Sequence, residues 1–594
     1  MRAFDIFSAA AGLLSSQVVF RSPAAPSSSE TQILTPELDD YINRVLSDWN
    51  SPAGAGVAVV RLKDDGKWQV ETKGYGNART DGTKVTKDTL FAIGSNSKLF
   101  TTLAVGQLIS NESLSPRISW KTKIKQIIPE FTLMDPIASE GTSIIDAMSH
   151  RTGLPRHDMM YGLNDKPLDV IERTKYLRPS MEFREGNQYN NVMYNLLSYV
   201  PTALLPSHPT IDEYVKANIL DPLQLNSTTY SYEVASRSGN LADGIGRQNM
   251  NRTKNPLDGG IPRGLPYWHT ASIENGHVIS GAGGVISNAV DMAKWLQVLL
   301  SNGRDPYTNV SVIPEEVISA VFKGVTIFNA SPNFNVTSAA VYGGGLWQSS
   351  YQGHVIVEHT GGTPGYLTSI ARLPFDNLGV AVLTNDLHYG AYYMQVIKHR
   401  IIDHALNLPR WDYNTILKDQ INKQTPPLGT PRPSDPSLPE RSVSSLAGVY
   451  ENLGYGRIEL CEVPKPTSAA TKQSNTCRDL IKELPVRLPG VINPKIPTLV
   501  ASWDRFWLHY IQLEHFDGNV FNLTTWKSFP THDEDGLFWT WNPSEESRPH
   551  VDFEFDRHAI GLGLFGDVWG AGSDAESPTG ETVRERAEVW FEKV

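Results

Sequence analysis

Phe91-Ala92-Ile93-Gly94-Ser95-Asn96-Ser97-Lys98-Leu99-Phe100-Thr101-Thr102-Leu103-Ala104-Val105-Gly106-Gln107-Leu108-Ile109 is the stretch on which the reading of this chain turns. From Leu99 onward the apolar residues (Leu99, Phe100, Leu103, Ala104, Val105, Leu108, Ile109) leave no wet face at helical spacing, which predicts a helix buried on every side. Ser95 then stands at the N-terminus of a buried helix, where free amides and the helix dipole favour negative charge. Lys98 follows one turn later on the same face, within reach of the serine oxygen. An ammonium forced into such a place is costly, so its pKa falls and the neutral amine can act as a base. Ser-x-x-Lys by itself occurs by chance in a chain of this length and then marks only a solvated helix start. Burial makes Ser95 a candidate nucleophile and Lys98 its proton acceptor.

Two further motifs lie downstream. Tyr189-Asn190-Asn191 interrupts a second apolar helical pattern; alone it is ordinary turn chemistry. His359-Thr360-Gly361-Gly362 follows the strand-like Val355-Ile356-Val357. It reads either as a strand end with a glycine turn or as a strand whose bare backbone lets a substrate approach an amide donor.

In this order, Ser-x-x-Lys, Tyr-x-Asn and His-Thr-Gly resemble the class C-like branch of the serine beta-lactamase and penicillin-binding protein superfamily. Ser149-His150-Arg151-Thr152-Gly153-Leu154-Pro155, Gly281-Ala282-Gly283-Gly284-Val285-Ile286-Ser287 and Tyr342-Gly343-Gly344-Gly345-Leu346-Trp347 look like framework segments of the same family, and the likeness spans residues 36–405. The resemblance implies that Ser95 attacks a carbonyl while Lys98 and Tyr189 move its proton. Asn191 would bond Lys98 and the substrate amide, and His359, Thr360, Gly361 and Gly362 would line the substrate site. The amides of Ser95 and Gly362 would form the oxyanion hole. No metal or organic cofactor is implied. Typical beta-lactamases carry lysine where this chain has His359; His-x-Gly variants resemble the D-aminopeptidase and esterase-like members, so a main activity on antibiotics is not expected.

The wider chain agrees with an enzyme of several domains. At 594 residues it exceeds what one core needs, and 40% hydrophobic with 20% charged residues is globular composition. A net charge of -11 argues against nucleic acid as partner, and no internal apolar run reaches the length of a membrane span. The expected partner is a small-molecule or peptide substrate; oligomeric state is not legible. Strand patterns at both ends of residues 33–410, with helices between, predict an α+β catalytic domain whose single sheet draws on both termini. The hairpin Val57–Val60 with Trp68–Glu71 begins it, and Leu378–Leu383 is a late strand. Residues 424–442, rich in proline from Thr425 to Pro439, read as a semi-rigid linker. Residues 443–594 read as strands throughout. Val551, Phe553 and Phe555 alternate with acidic residues there, as expected of a small antiparallel, lipocalin-like barrel, similar to a domain that follows the catalytic domain in many such enzymes.

Residues 1–20, with Arg2 before the mildly apolar Ile6–Phe20, read as a signal peptide or as a frayed cytosolic tail. Sequons at Asn111, Asn226, Asn251, Asn309, Asn329, Asn335 and Asn522 favour secretion. Cys461 and Cys477 are the chain's two cysteines, close enough to close a hairpin with a disulfide or to remain cytosolic thiols. Three functions fit these observations: a secreted serine hydrolase cleaving an ester or peptide-like amide, an acyltransferase on the same fold, and a binding module without turnover. Retention of Ser95, Lys98 and Tyr189 together favours the first.

Overall fold

The computed structural model describes residues 32–269, 277–423, 431–464, 474–531, 537–543, 549–555, 560–572 and 575–594. The stretch read as a signal peptide lies outside them, as does the first part of the linker.

The hairpin and the late strand belong to one sheet. β1 (Gly54–Leu62) pairs antiparallel with β2 (Trp68–Gly76) on one side. On its other side it pairs with the last strand of the sheet, Leu378–Thr384, matching Ala58 with Ala381. The remaining strands are β3 (Thr326–Asn329), β4 (Ala340–Tyr342), β5 (Trp347–Tyr351), β6 (His354–Thr363) and β7 (Tyr366–Leu373), with Leu378–Thr384 as β8. The order across the eight strands is β2-β1-β8-β7-β6-β5-β4-β3. Strands from both ends of this region therefore pair within one sheet, as the sequence pattern predicts.

β1 reads as a continuous apolar run because both its faces are covered. Val57 and Val59 join the cluster built by helix α1 (Pro36–Asp48) and the helix Gly390–Ala405, through Leu38, Ile42, Tyr393 and Ile397. Ala58 and Val60 face the larger cluster with Trp295 and Leu296 of the helix Ala289–Leu300. Helix α2 (Ser97–Ser110) runs through that larger cluster. Its residues from Ser97 to Gly106 are all buried, as its lack of a polar face requires.

The C-terminal strands close on themselves. Gly448–Asn452, Gly456–Glu462, Thr498–Ser502, Tyr510–Asp517, Val520–Pro530, His550–Phe555, Ile560–Phe565 and Val589–Lys593 form an antiparallel barrel; Phe538–Trp541 is added at the edge of Val520–Pro530. Tyr450, Leu460, Leu513, Phe521, Phe553 and Phe591 pack inside it, while Asp552 and Glu554 are half-exposed, so the predicted alternation is present. The region is not strand throughout. Asn475–Arg487 is a helix, capped by Ser474 Oγ accepting from Cys477 N at 3.0 Å, with Cys477, Leu480 and Leu484 on its buried stripe. Pro485, one turn from its end, hides that stripe from a sequence reading. Cys461 on Gly456–Glu462 is disulfide-bonded to Cys477 on this helix, so the bridge joins strand to helix and closes no hairpin.

Residues 431–442 form neither strand nor regular helix. They lie along the barrel, with Arg432 Nε donating to the His515 carbonyl at 2.8 Å and Ser437 N–H to Asp517 Oδ1 at 2.6 Å. Among the described residues no helix is long and apolar enough to cross a membrane.

Candidate active site

Ser95 sits on the single 3₁₀ turn Gly94–Asn96 that leads into α2, and is half-buried while its neighbours are buried. This turn touches β6 backbone to backbone. Gly94 has φ +52°, and a Cβ there would lie 2.6 Å from Gly362 N; a Cβ on Gly361 would lie 1.9 Å from the Ile93 carbonyl oxygen. Only glycine fits at either position, which brings the Ser95 turn beside Gly362. Asn96 stitches the junction. With its amide turned to satisfy its neighbours, the nitrogen donates to the His359 carbonyl at 2.9 Å and the oxygen accepts from Thr368 Oγ1 at 2.9 Å.

Lys98 is fully buried. Its Nζ lies 3.0 Å from Ser95 Oγ, 2.8 Å from Asn191 Oδ1 and 2.9 Å from the Ala282 carbonyl. The last two partners can only accept. A neutral amine has two N–H donors for them and one lone pair left, which faces the serine hydroxyl. Burial, reinforced by the Arg156 guanidinium, holds the Lys98 pKa well below the usual lysine value; Asp158 opposes the shift. Geometry and electrostatics agree on an amine able to take the Ser95 proton.

Tyr189 closes the other side. Burial pushes its phenol up to about 12, against the pull of the neighbouring Ser95 hydroxyl and of Arg156, so near neutral pH the hydroxyl keeps its proton. Lys98 Nζ lies 4.9 Å from its ring centre, and the His150 ring packs 4.5 Å away. Asn190 caps the helix Asn191–Ser198, its Oδ1 accepting from Val192 N at 2.7 Å. Its Nδ2 donates to the carbonyls of Leu154 and Pro155 at 2.9 and 2.6 Å. The Tyr-Asn-Asn triplet is thus a helix cap that sets Tyr189 and Asn191 on either side of Lys98.

Asn191 bonds Lys98 as expected. Its Nδ2, however, donates to Asp158 Oδ1 at 3.1 Å, so the group expected to meet a substrate amide is held by a carboxylate. His359 is buried and faces Tyr189 with ring centres 6.0 Å apart. Its Nδ1–H donates to the Thr360 carbonyl, which leaves Nε2 to accept from the Tyr342 hydroxyl at 3.0 Å. Burial, with Lys98 nearby, drops its pKa to about 3, and the ring is neutral. Thr360 is half-buried and Gly362 is exposed at the end of β6.

A scan of family models matches residues 47–396 to the beta-lactamase family. The chain belongs to the beta-lactamase family. An unguisins hydrolase from Aspergillus campestris is 30% identical over 451 residues, covering 72% of this chain and 78% of the relative. The N-acetylmuramyl-L-alanine amidase of Bacillus subtilis is 25% identical over 389 residues, covering 59% and 81%. Among solved structures, an octameric penicillin-binding protein homologue from Pyrococcus abyssi superposes with a TM-score of 0.50 at 18% identity, covering 89% of this chain and 97% of that one, and shares the fold. With hydrolase and amidase relatives in the beta-lactamase family, the chain is a serine hydrolase.

The framework segments of this beta-lactamase-family chain have local roles. Ala282 supplies the carbonyl under Lys98, and Ser97 Oγ accepts from Val285 N at 3.0 Å. Tyr342 holds His359. Residues that sequence reasoning missed come next after the first framework segment: Arg156, Asp158 and Tyr161. Arg156 Nε donates to Asp158 Oδ2 at 2.7 Å, and Tyr161 donates its hydroxyl to Asp158 Oδ1. Two opposite charges and a tyrosine within six residues are the one available signal, and such runs are usually solvated loops. Among the described residues no group of three or more His, Cys, Asp or Glu side chains converges as a metal site. Six sequon asparagines (111, 226, 251, 309, 335 and 522) are exposed and Asn329 is half-buried.

Proposed function

We propose that this serine hydrolase acylates itself on Ser95 and cleaves a neutral amide or ester of a small molecule or peptide. The observation that carries the proposal is the Lys98 amine, whose two N–H bonds go to carbonyl oxygens and whose third contact, at 3.0 Å, is the Ser95 hydroxyl. As the Ser95 oxygen bonds the substrate carbonyl carbon, its proton passes to Lys98. The new oxyanion is received by the amides of Ser95 and Gly362. When the tetrahedral adduct collapses, the bond to the leaving group breaks. Tyr189, still protonated, hands its proton to the leaving nitrogen or oxygen and is refilled from Lys98. Water then repeats the sequence on the acyl-enzyme and releases the acid. An amine leaving group needs a proton donor most, and the relative named an amidase supports the amide reading. The neutral His359, with both ring nitrogens engaged, supports a substrate without a carboxylate at that position. The disulfide and the exposed sequons support secretion as a glycoprotein.

Treatment with a fluorophosphonate, followed by mass spectrometry, should place the adduct on the peptide containing Ser95. Ser95→Ala should lose both adduct and turnover across a panel of amides and esters. An adduct on a different serine would refute the proposal.

A further inference from the structure

The turn Arg156–Tyr161 presents one set of groups to the active site and another to the barrel. Inward, Asp158 is the hub: its two oxygens take Asn191 Nδ2, the Tyr161 hydroxyl and the Arg156 guanidinium. Asn191 in turn carries Lys98, and Arg156 lies 5.3 Å from the ring centre of Tyr189. Outward, the same turn is gripped by the barrel. His157 N–H donates to the Trp569 carbonyl at 2.8 Å, and Phe506 N–H to the Tyr161 carbonyl at 3.2 Å. His157 Nε2–H donates to the Arg178 carbonyl at 2.9 Å, which leaves Nδ1 to accept from the Tyr455 hydroxyl at 2.6 Å. His157 itself adopts φ +46°, a left-handed conformation that a β-carbon disfavours and that these contacts hold in place.

We infer that Asp158 is a positioning residue through which the C-terminal barrel orients the Lys98–Asn191 pair, making the barrel part of the catalytic apparatus. The inference rests on the reading of Ser95 and Lys98 given above. A carboxylate that fixes both Asn191 and Arg156 also sets the charge around the amine. The groups facing Lys98 are Ser95, Asn191, Tyr189, Tyr194, His150, His359, Arg156 and Asp158; burial keeps both histidines neutral and both tyrosines protonated. The remaining charges are Arg156 and Asp158, of opposite sign. Removing the carboxylate leaves Arg156 unopposed and favours the neutral amine; removing Arg156 does the reverse.

The test is the rate of Ser95 labelling by a fluorophosphonate against pH, in the full chain, for wild type, Asp158→Asn, Arg156→Gln and Tyr455→Phe, each with its thermal midpoint. Asp158→Asn should label about tenfold or more slowly at its optimum, because the bond that anchors Asn191 loses its charge assistance and the oxygen facing Arg156 gives way to an NH2. The acid limb of its profile should move down by about one unit, and that of Arg156→Gln should move up. Tyr455→Phe, a barrel variant without contact to the reacting groups, should label more slowly at its optimum with its acid limb in place. If Asp158→Asn fails to fold, the upward shift in Arg156→Gln and the slowed labelling of Tyr455→Phe decide the matter. Variants that lose thermal stability but keep the wild-type rate and profile would overturn the inference, leaving Asp158 a structural residue. Absence of labelling in wild type would instead refute the reading of Ser95.

Discussion

Burial lowers the pKa of Lys98 and of His359 alike, but their hydrogen bonds send them to different work. Lys98 has a lone pair left for Ser95; His359 has nothing left, since Thr360 and Tyr342 take both ring nitrogens. A neutral, fully engaged imidazole offers no charge-assisted contact to a substrate carboxylate, and such a contact is worth about 1.5–3 kcal/mol, or about ten- to 150-fold in specificity constant. Wild type should therefore prefer p-nitrophenyl butyrate to nitrocefin, and His359→Lys should narrow the gap. A wild type that prefers nitrocefin, with the preference unchanged in the variant, would contradict this. Asp212 gives a pH dependence of a different kind. Burial raises its carboxyl to about 7, only partly offset by Ser280. Because the folded pKa lies above the unfolded one, the stability it permits is complete below the unfolded value of about 3.8 and is lost as pH rises toward 7. Asp212→Asn should gain on the order of a few kcal/mol over wild type at pH 8 and progressively less toward pH 4. Urea unfolding at both values checks the trend, and a constant difference would rule out ionisation as its source.

At the scale of elements, the site is made where a helix start meets a strand. Ser95 was legible because it carries a local reason, an all-apolar helix before which it must stand; that no side chain fits at Gly94 or Gly361 was not, because each packs against the other's distant segment. Asn190 reads as a turn residue but is an extended helix cap, and as a cap it orients Tyr189 and Asn191. The turn Arg156–Tyr161 was not legible, since its partners Asn191, Tyr455, Phe506 and Trp569 are distant in the chain. The helix Asn475–Arg487 was missed because Pro485 breaks the pattern by which it would be found. Its disulfide spans 16 residues and pins it to the barrel wall. Replacing Cys461 and Cys477 with serine should lower stability by up to about 3 kcal/mol. Ser95 labelling should keep its rate. Equal unfolding midpoints for the two proteins would show that packing, not the bridge, holds the helix.

Across the whole molecule, the surface and the core report on different things. The exposed sequons and the bridge predict that a eukaryotic host exports the chain with glycan on one or more of those asparagines and with Cys461 joined to Cys477. Recovery of a full-length, unglycosylated chain in the cytosol with both thiols free would reverse the assignment. The sequence by itself determined what depends on neighbours in the chain. The buried helix after Ser95, the hairpin at Val57, the alternating strands near Val551 and the choice of histidine at 359 all follow from spacing and residue chemistry. Only the tertiary structure decided which protons and charges count. The Lys98 pKa is held down by burial and by Arg156, while its amine donates to Asn191 and Ala282, groups that come from separate stretches of the chain. Asn191 is turned from substrate to Asp158, and the barrel reaches the site through His157 and Tyr161. Desolvation and hydrogen bonding are set by what packs around a group, and a linear spacing carries no record of partners brought together from dozens to hundreds of residues away.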